Sequence, residues 1–126
     1  MNIPNDLHYT NDHEWIRING NTAIVGITDF AQGELGDVVF VEIETVGQHL
    51  DQGSVFGTIE AVKTVSDLFI PVSGKVLEMN TAVNDTPDVI NKDPYGNGWL
   101  IKMEVDDPAS VSGLLDAVAY TALLNA

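Results

Sequence analysis

The sequence predicts a mainly β domain with short helices, including helices at the C-terminus. Gly, Pro and Asn interrupt the 126-residue chain about every eight to twelve residues, which is typical of many short strands. Between these breaks apolar and polar residues alternate, as in strands with one buried face. Four segments each join a glycine-containing turn to an alternating strand, which would fit two sheets packed face to face: GDVVFVEI, GTIEAV, SGKVLEMN and GWLIKMEV.

The N-terminal part predicts a hairpin followed by a helix. In residues 14–27 two alternating runs flank Asn19-Gly20, and glycine tolerates the positive φ that a tight hairpin turn needs. The next nine residues, TDFAQGELG, lose the period of two. Thr28 can cap a helix there and Gly36 can end it, so we expect one short helix.

The central part predicts four more strands. Residues 37–43 alternate, with Val39, Val41 and Ile43 on one expected face. Residues 57–80, GTIEAVKTVSDLFIPVSGKVLEMN, contain three apolar runs separated by two turns. We therefore expect three strands here, with Lys63 in the first turn.

The C-terminal part combines a long connection, a strand and helical segments. In the connection, residues 80–98, Thr86-Pro87 could start one helical turn with proline at its first position. Residues 99–105 alternate as a strand. Asp107-Pro108 fits a helix cap, and apolar residues then recur at helical spacing over 111–122, as one helix or two. We expect this segment to pack on the sheet rather than to mediate self-association.

Composition excludes several classes of partner and chemistry. Five basic residues stand against nineteen acidic ones, so neither nucleic acid nor an anionic membrane is expected as a partner. The chain has no cysteine, which excludes disulfides and a thiol nucleophile. It shows neither a signal peptide nor an apolar run of membrane-spanning length. We expect a cytoplasmic location, although a processed organellar protein would look the same.

No catalytic motif emerges from the sequence. A nucleophile elbow, a phosphate loop and a dinucleotide fingerprint are all missing. His8, His13 and His49 do not have the spacing of metal ligands. The oxygen-rich loop at residues 85–93 lacks the spacing of an EF-hand. We therefore expect neither a metal site nor catalysis by the chain alone.

Lys63 is the residue that best fits a chemical role. Most lysines are simply solvated, but the runs on either side of this one are apolar enough to pair firmly. Val62 and Val65 bracket the turn, and the acids Glu60 and Asp67 flank it. A compact amine on a flexible stem at a rigid tip is a good acceptor for covalent modification. Its reactivity would come from a modifying enzyme.

Four motifs, in order, resemble the glycine cleavage H-protein family: DHEWIRI, AIVGITDFAQGELGDVVFVE, GTIEAVKTVSDLFIPVSGKVLEMN and NKDPYGNGWLIKME. The resemblance extends over about residues 9–120. It implies a single lipoyl-carrier domain over residues 1–126, with the two-sheet barrel-sandwich hybrid fold, or hammerhead, of lipoyl and biotinyl domains. It also implies (R)-lipoate in amide linkage on Lys63, which removes one positive charge.

The resemblance further implies a non-catalytic carrier in glycine catabolism. The lipoyl arm would take the aminomethyl group of glycine from glycine decarboxylase, the P protein, to aminomethyltransferase, the T protein, which supplies one-carbon units to tetrahydrofolate. Dihydrolipoyl dehydrogenase, the L protein, would reoxidise the arm, and a lipoate-attaching enzyme would install it. These are reactions of thiols, disulfides and thioethers, which the cofactor supplies.

The same resemblance implies a cleft that shields the loaded arm. His13, Glu14 and Asp67 could line it, and a carboxylate such as Glu14 would suit the terminal ammonium of the arm. Glu60 is similar to the acid that lipoate-attaching enzymes read, although it would also suit a solvated strand. Asp12 stands where a small hydroxyl residue is common in the family.

Four alternative functions differ from this interpretation in what they require of the chain. A biotinyl carrier usually has methionines beside its lysine, whereas Val62 and Thr64 stand here. A lipoyl domain of a 2-oxo acid dehydrogenase would be shorter and joined to a catalytic domain. An H-type protein that donates lipoate to other enzymes or serves another pathway would show the same motifs. An unmodified interaction module would differ in its intact mass.

Overall fold

A computed structural model describes residues 1–125. Within that range the chain forms nine strands, four α-helices and one 3₁₀ helix, Pro108–Gly113. The strands are β1 (His8–Tyr9), β2 (Glu14–Asn19), β3 (Thr22–Ile27), β4 (Val38–Glu42), β5 (His49–Leu50), β6 (Val55–Ala61), β7 (Val65–Phe69), β8 (Gly74–Met79) and β9 (Ile101–Val105). The α-helices are α1 (Asp29–Leu35), α2 (Ala82–Asp85), α3 (Val89–Lys92) and α4 (Ala117–Leu124).

The strands form two antiparallel sheets. One has six strands in the order β1-β2-β3-β9-β8-β5, and the other has three in the order β4-β6-β7. One hydrophobic core contains buried residues from both sheets, among them Ile16, Val25, Val41, Ile59 and Met103. The mainly β fold with two sheets and short helices is confirmed, although within residues 1–125 the two sheets do not close into a continuous barrel.

The N-terminal hairpin and the helix after it form as local signals predict. β2 and β3 pair from Glu14 opposite Ile27 to Asn19 opposite Thr22. The two-residue turn is therefore Gly20-Asn21, one position later than expected, and Gly20 has a φ of +64°. The Thr28 side chain caps α1 by accepting from the Ala31 amide.

The prediction that Val39 shares a face of the fourth strand with Val41 and Ile43 is wrong. A bulge between Val38 and Phe40 shifts the register of β4 against β6. As a result Val38 and Val41 are buried, whereas Val39 and Phe40 are about half exposed. An extra residue at a bulge inverts the alternation on one side of it, and the sequence pattern alone does not show this.

The three strands expected in residues 57–80 are present, but they belong to different sheets. β6 and β7 form a hairpin in the small sheet, whereas β8 pairs with β9 and β5 in the large one. The connection between them carries Ile70 and Val72, both 1% exposed, through the core. This connection joins the two sheets.

The long connection contains two short helices, α2 and α3, rather than one. Thr86 ends α2 as its C-cap residue, and α3 follows the cap residue Asp88. The Val89 amide donates to the Thr86 carbonyl at 3.1 Å, so a helical turn does begin at Thr86-Pro87 as predicted, and α3 continues it from Val89. Proline disfavours helical backbone in the residue before it, so the chain breaks there and resumes the helix afterwards.

The C-terminal segment forms two helices and packs on the large sheet. Asp107 caps the 3₁₀ helix and Asp116 caps α4 through side-chain acceptors. The helical spacing over 111–122 places Val118 and Ala122 on the inward face, yet Val118 is 78% exposed and Ala122 is exposed too, whereas Tyr120 is fully buried. The break between the helices resets the helical phase, which explains the difference. None of the helices in residues 1–125 is long and apolar enough to cross a membrane.

Candidate functional site

Lys63 occupies the tip of the β6–β7 hairpin. The Ala61 amide donates to the Thr64 carbonyl at 2.8 Å, which closes the turn. The Val62 amide donates to the Asp37 carbonyl at 3.0 Å, which ties the tip to the segment before β4. Lys63 itself is exposed. The expected arrangement of an accessible amine on a firmly held turn is therefore present.

The stem of Lys63 lies beside Gly36, at the C-terminal end of α1. A β-carbon at Gly36 would stand 3.4 Å from Lys63 Cε and 3.7 Å from Nζ. Gly36 also has a φ of +79° and a ψ of −156°, a conformation that is essentially restricted to glycine. The glycine therefore ends the helix, and a β-carbon there would make only ordinary van der Waals contact with the lysine side chain.

A cleft of about 370 Å³ lies between α1 and the β6–β7 hairpin that carries Lys63. Its apolar wall consists of Ile27, Phe30, Ala31, Leu35, Ile59 and Leu68. Its polar residues are Asp12, His13, Glu14, Glu34, Ser66 and Asp67. An apolar wall with a few acids suits a ligand that is aliphatic along its length and cationic at its end.

Glu14 is the buried carboxyl of this cleft, with only 2% of the residue exposed. The Thr10 hydroxyl donates to one of its oxygens at 2.8 Å, and the Phe69 amide approaches the other at 3.4 Å. Burial raises the pKa of Glu14 to about 8, although these two hydrogen bonds act against the rise. At neutral pH the carboxyl is therefore mostly protonated while no cation is near it.

His13 is held in an unusual backbone conformation at the same cleft. Its φ is +68°, in the left-handed region that few residues other than glycine adopt. Its Nδ1 lies 2.8 Å from the Tyr120 hydroxyl, and its ring centroid is 4.8 Å from that of Phe30. Burial lowers the pKa of His13, although the charges of Asp12 and Glu34 oppose this. The neutral imidazole is thus favoured.

Comparison with known proteins identifies the family. A family model described as Glycine cleavage H-protein matches residues 7–126, nearly the whole chain. The chain belongs to the glycine cleavage H-protein family. The H protein is the lipoyl carrier of the glycine cleavage system and is not itself catalytic, so the expectation of a carrier rather than an enzyme is confirmed.

Members of the H-protein family align with nearly the whole length of this chain. The glycine cleavage system H protein of Bacteroides thetaiotaomicron is 58% identical over 125 residues, 99% of each chain. That of Bacteroides fragilis is 58% identical over 126 residues, 100% of each. The crystal structure of an H protein from Mycobacterium marinum, 42% identical, superposes with a TM-score of 0.86 over 98% of this chain and 100% of its own.

The predicted site residues lie in two places, at the cleft and on the exposed face of β6. His13, Glu14 and Asp67 line one cleft, and Lys63 extends from the hairpin that forms one side of it. Glu60 lies outside the cleft, exposed on β6. It stands directly opposite Phe40 and Val65 on the neighbouring strands. The Glu60 side chain therefore lies among exposed residues of the small sheet and does not line the cleft.

Three residues that build the cleft are not predicted by the sequence patterns. Phe30 lines its wall, while Thr28 and Tyr120 support that wall from behind through hydrogen bonds. The sequence pattern indicates Thr28 only as a helix cap. Tyr120 meets His13 across 107 residues of chain and Thr28 across 92, so no local pattern connects them.

The site holds no evident metal centre. Within residues 1–125, no group of three or more His, Asp or Glu side chains is arranged to hold a metal ion. His49 lies 2.6 Å from Asp106, an exposed contact between the start of β5 and the chain after β9.

Proposed function

We propose that this chain carries (R)-lipoate in amide linkage on Lys63 and that the arm carries the aminomethyl group of glycine between enzymes of the glycine cleavage system. The single observation that supports this most is the placement of Lys63, exposed on a hydrogen-bonded turn beside an apolar cleft with acidic residues. A lipoate-attaching enzyme can reach such an amine without unfolding its surroundings. When bound, the lipoyl group supplies the thiol and disulfide chemistry of the system.

The residues around Lys63 fit a lipoyl group. Phe30, Leu35 and Leu68 give the cleft an apolar wall suited to an aliphatic chain. The lysine stem lies beside Gly36, within van der Waals contact of the position that a β-carbon there would take. Gly36 directly follows Leu35 of the cleft wall, so the lysine stem lies beside the end of the helix that lines the cleft.

Glu14 and Asp67 would hold the charged end of the cargo. Glu14 is buried and favours its neutral form in the absence of a cation. An ammonium group that arrives beside it would favour loss of its proton, because opposite charges attract strongly where water is excluded. Asp67 is exposed at the rim of the same cleft and stays in contact with solvent. The pair would retain the cargo and limit its contact with water.

The proposed partners are glycine decarboxylase, aminomethyltransferase, dihydrolipoyl dehydrogenase and a lipoate-attaching enzyme. A formal charge of −14 suits docking to basic surfaces on such partners. Glu60 lies in one cross-strand row with the exposed Phe40 and Val65. It stands near the end of β6 that leads into the turn with Lys63. We assign Glu60 to recognition by the lipoate-attaching enzyme, with these two apolar side chains as its neighbours.

A loading experiment tests the carrier function. The lipoylated chain is incubated with glycine and purified glycine decarboxylase, without the other proteins of the glycine cleavage system. Its intact mass is then followed. As the lipoyl disulfide opens, one sulfur should take the aminomethyl group and the other a hydrogen while CO2 leaves, so the mass should rise by that of glycine minus CO2, and only when glycine and the enzyme are both present. A chain that carries the lipoyl adduct but never gains this mass would contradict the proposed function.

A further inference from the structure

The hydroxyl of Tyr120 lies between two polar side chains that belong to distant parts of the fold. It is 2.8 Å from His13 Nδ1 and 2.8 Å from Thr28 Oγ1. Tyr120 is fully buried, and its ring stacks on that of Tyr9 with centroids 4.6 Å apart. Helix α4 is thereby connected to the wall of the cleft through a single hydroxyl group.

The direction of the hydrogen bonds follows from Thr28. Its hydroxyl oxygen accepts from the Ala31 amide at 3.2 Å, and its other polar neighbour in residues 1–125 is the Tyr120 hydroxyl. Thr28 is fully buried, so its own hydroxyl hydrogen needs an acceptor inside the protein. Only the Tyr120 oxygen can serve among the described residues. Thr28 therefore donates to Tyr120, and Tyr120 must donate its hydrogen to His13 Nδ1.

We propose that Tyr120 is a positioning residue that holds His13 as the neutral Nε2–H tautomer at the wall of the cleft. A nitrogen that accepts a hydrogen bond carries no proton, so Nδ1 is bare and Nε2 bears the hydrogen. His13 then offers a hydrogen-bond donor to the cleft, and neither a positive charge nor a general base. The donor suits a carbonyl or amide oxygen in a bound ligand.

Three further observations support a fixed orientation of His13. Its amide donates to the Thr10 carbonyl at 3.1 Å, and its carbonyl accepts from the Thr28 amide at 3.0 Å, so the left-handed backbone is held from both sides. Phe30 contacts the imidazole ring from the cleft wall. Burial lowers the pKa of His13 against the charges of Asp12 and Glu34, which agrees with a neutral ring.

The inference deepens the proposed function, because it rests on that proposal for the identity of the ligand in the cleft. An arm with a cationic end would meet Glu14 and Asp67, while a neutral acceptor along it would meet His13. The tautomer itself does not depend on lipoylation. It is therefore measured on the unmodified full chain, so that its failure and a failure of the proposed function are distinguishable.

The experiment is a long-range ¹H–¹⁵N correlation spectrum of the full chain labelled in histidine. His8→Gln and His49→Gln variants assign the three imidazoles. In the wild type, His13 should show a bare Nδ1 and a protonated Nε2. Tyr120→Phe keeps the ring against Tyr9 and removes only the hydroxyl. In this variant we expect a mixture of tautomers and a rise in the His13 titration midpoint of about 0.5 to 1 pH unit.

Tyr9→Phe is the matched control, since it removes the same atom from the stacked partner, whose hydroxyl donates to the Pro4 carbonyl. It should leave the His13 tautomer and midpoint unchanged. A protonated Nδ1 in the wild type would overturn the proposal, and so would an unchanged tautomer and midpoint in Tyr120→Phe. If that variant fails to fold, Thr28→Val should weaken the tautomer preference and Thr28→Ser should keep it. Equal spectra for these two variants would also overturn the proposal.

Discussion

The side chain of Lys63 lies against Gly36, so close that a β-carbon at Gly36 would approach Lys63 Cε to 3.4 Å. One residue is the tip of a hairpin in the small sheet, and the other ends the helix that lines the cleft. The contact therefore joins the proposed attachment point to the proposed storage site of the arm. Gly36 is also a position where a single methyl group should have a measurable effect, because its backbone conformation is essentially restricted to glycine.

Gly36→Ala should destabilise the protein by about 1 to 3 kcal/mol, because its backbone conformation is essentially restricted to glycine. Urea unfolding measures this change in the free energy of unfolding. Gly33→Ala is the matched control in the same helix, where a β-carbon meets nothing within 4 Å. The control should gain about 0.5 to 1 kcal/mol from better helix propensity. Equal effects of the two substitutions would count against the role given to Gly36.

Glu14 should make stability fall as pH rises. Its pKa is raised to about 8 in the folded protein from a model-peptide value of 4.5, so the folded state holds a proton that the unfolded state has released. Between about pH 4.5 and 8 the free energy of unfolding should fall by up to about 1.4 kcal/mol per pH unit from this group. Glu14→Gln should remove that slope. A slope that is the same in wild type and Glu14→Gln would contradict the burial argument.

Glu14→Ala should leave lipoylation intact but shorten the lifetime of the aminomethyl-loaded form. Loss of a charge-assisted contact in the cleft corresponds to roughly a tenfold faster release. The lifetime is followed by intact mass after loading. Glu60→Ala, outside the cleft, is the control and should release its cargo at the wild-type rate. Unchanged release from Glu14→Ala would argue against a retaining role.

Glu60→Ala should slow the attachment of lipoate, whereas Glu14→Ala should not. If the lipoate-attaching enzyme reads this carboxylate beside Phe40 and Val65, the initial rate of lipoylation should fall severalfold in the variant, while its fold stays unchanged. Rates are compared by intact mass at early times with purified ligase. Glu78→Ala, an exposed strand residue of the other sheet, is the control. Equal rates for the wild type and both variants would leave Glu60 as an ordinary solvated residue.

Short-range sequence patterns predict most of the secondary structure. The hairpin of β2 and β3 and the capped helix α1 depend on residues within a few positions of one another, so the sequence predicts them nearly to the residue. The bulge in β4 is different, since it depends on the register against β6, some twenty residues later. The inward face of α4 likewise depends on Tyr9 and Trp15, which are distant in the chain.

The candidate site was predictable only in part. The resemblance to the H-protein family pointed to His13, Glu14 and Asp67, and the structure shows that they line one cleft. Their roles remain proposals. The supporting hydroxyls of Thr28 and Tyr120 come from the start of α1 and from α4, and only the folded chain brings them to His13.

The central claim is that Lys63 is the attachment point of lipoate. The direct measurement is the intact mass of the chain after co-expression with a lipoate ligase, for the wild type, Lys63→Arg and Lys75→Arg. Lys75 is an exposed lysine on β8 of the large sheet and serves as the control. We predict one lipoyl adduct on the wild type and on Lys75→Arg, and none on Lys63→Arg. A lipoyl adduct that persists in Lys63→Arg would contradict the account.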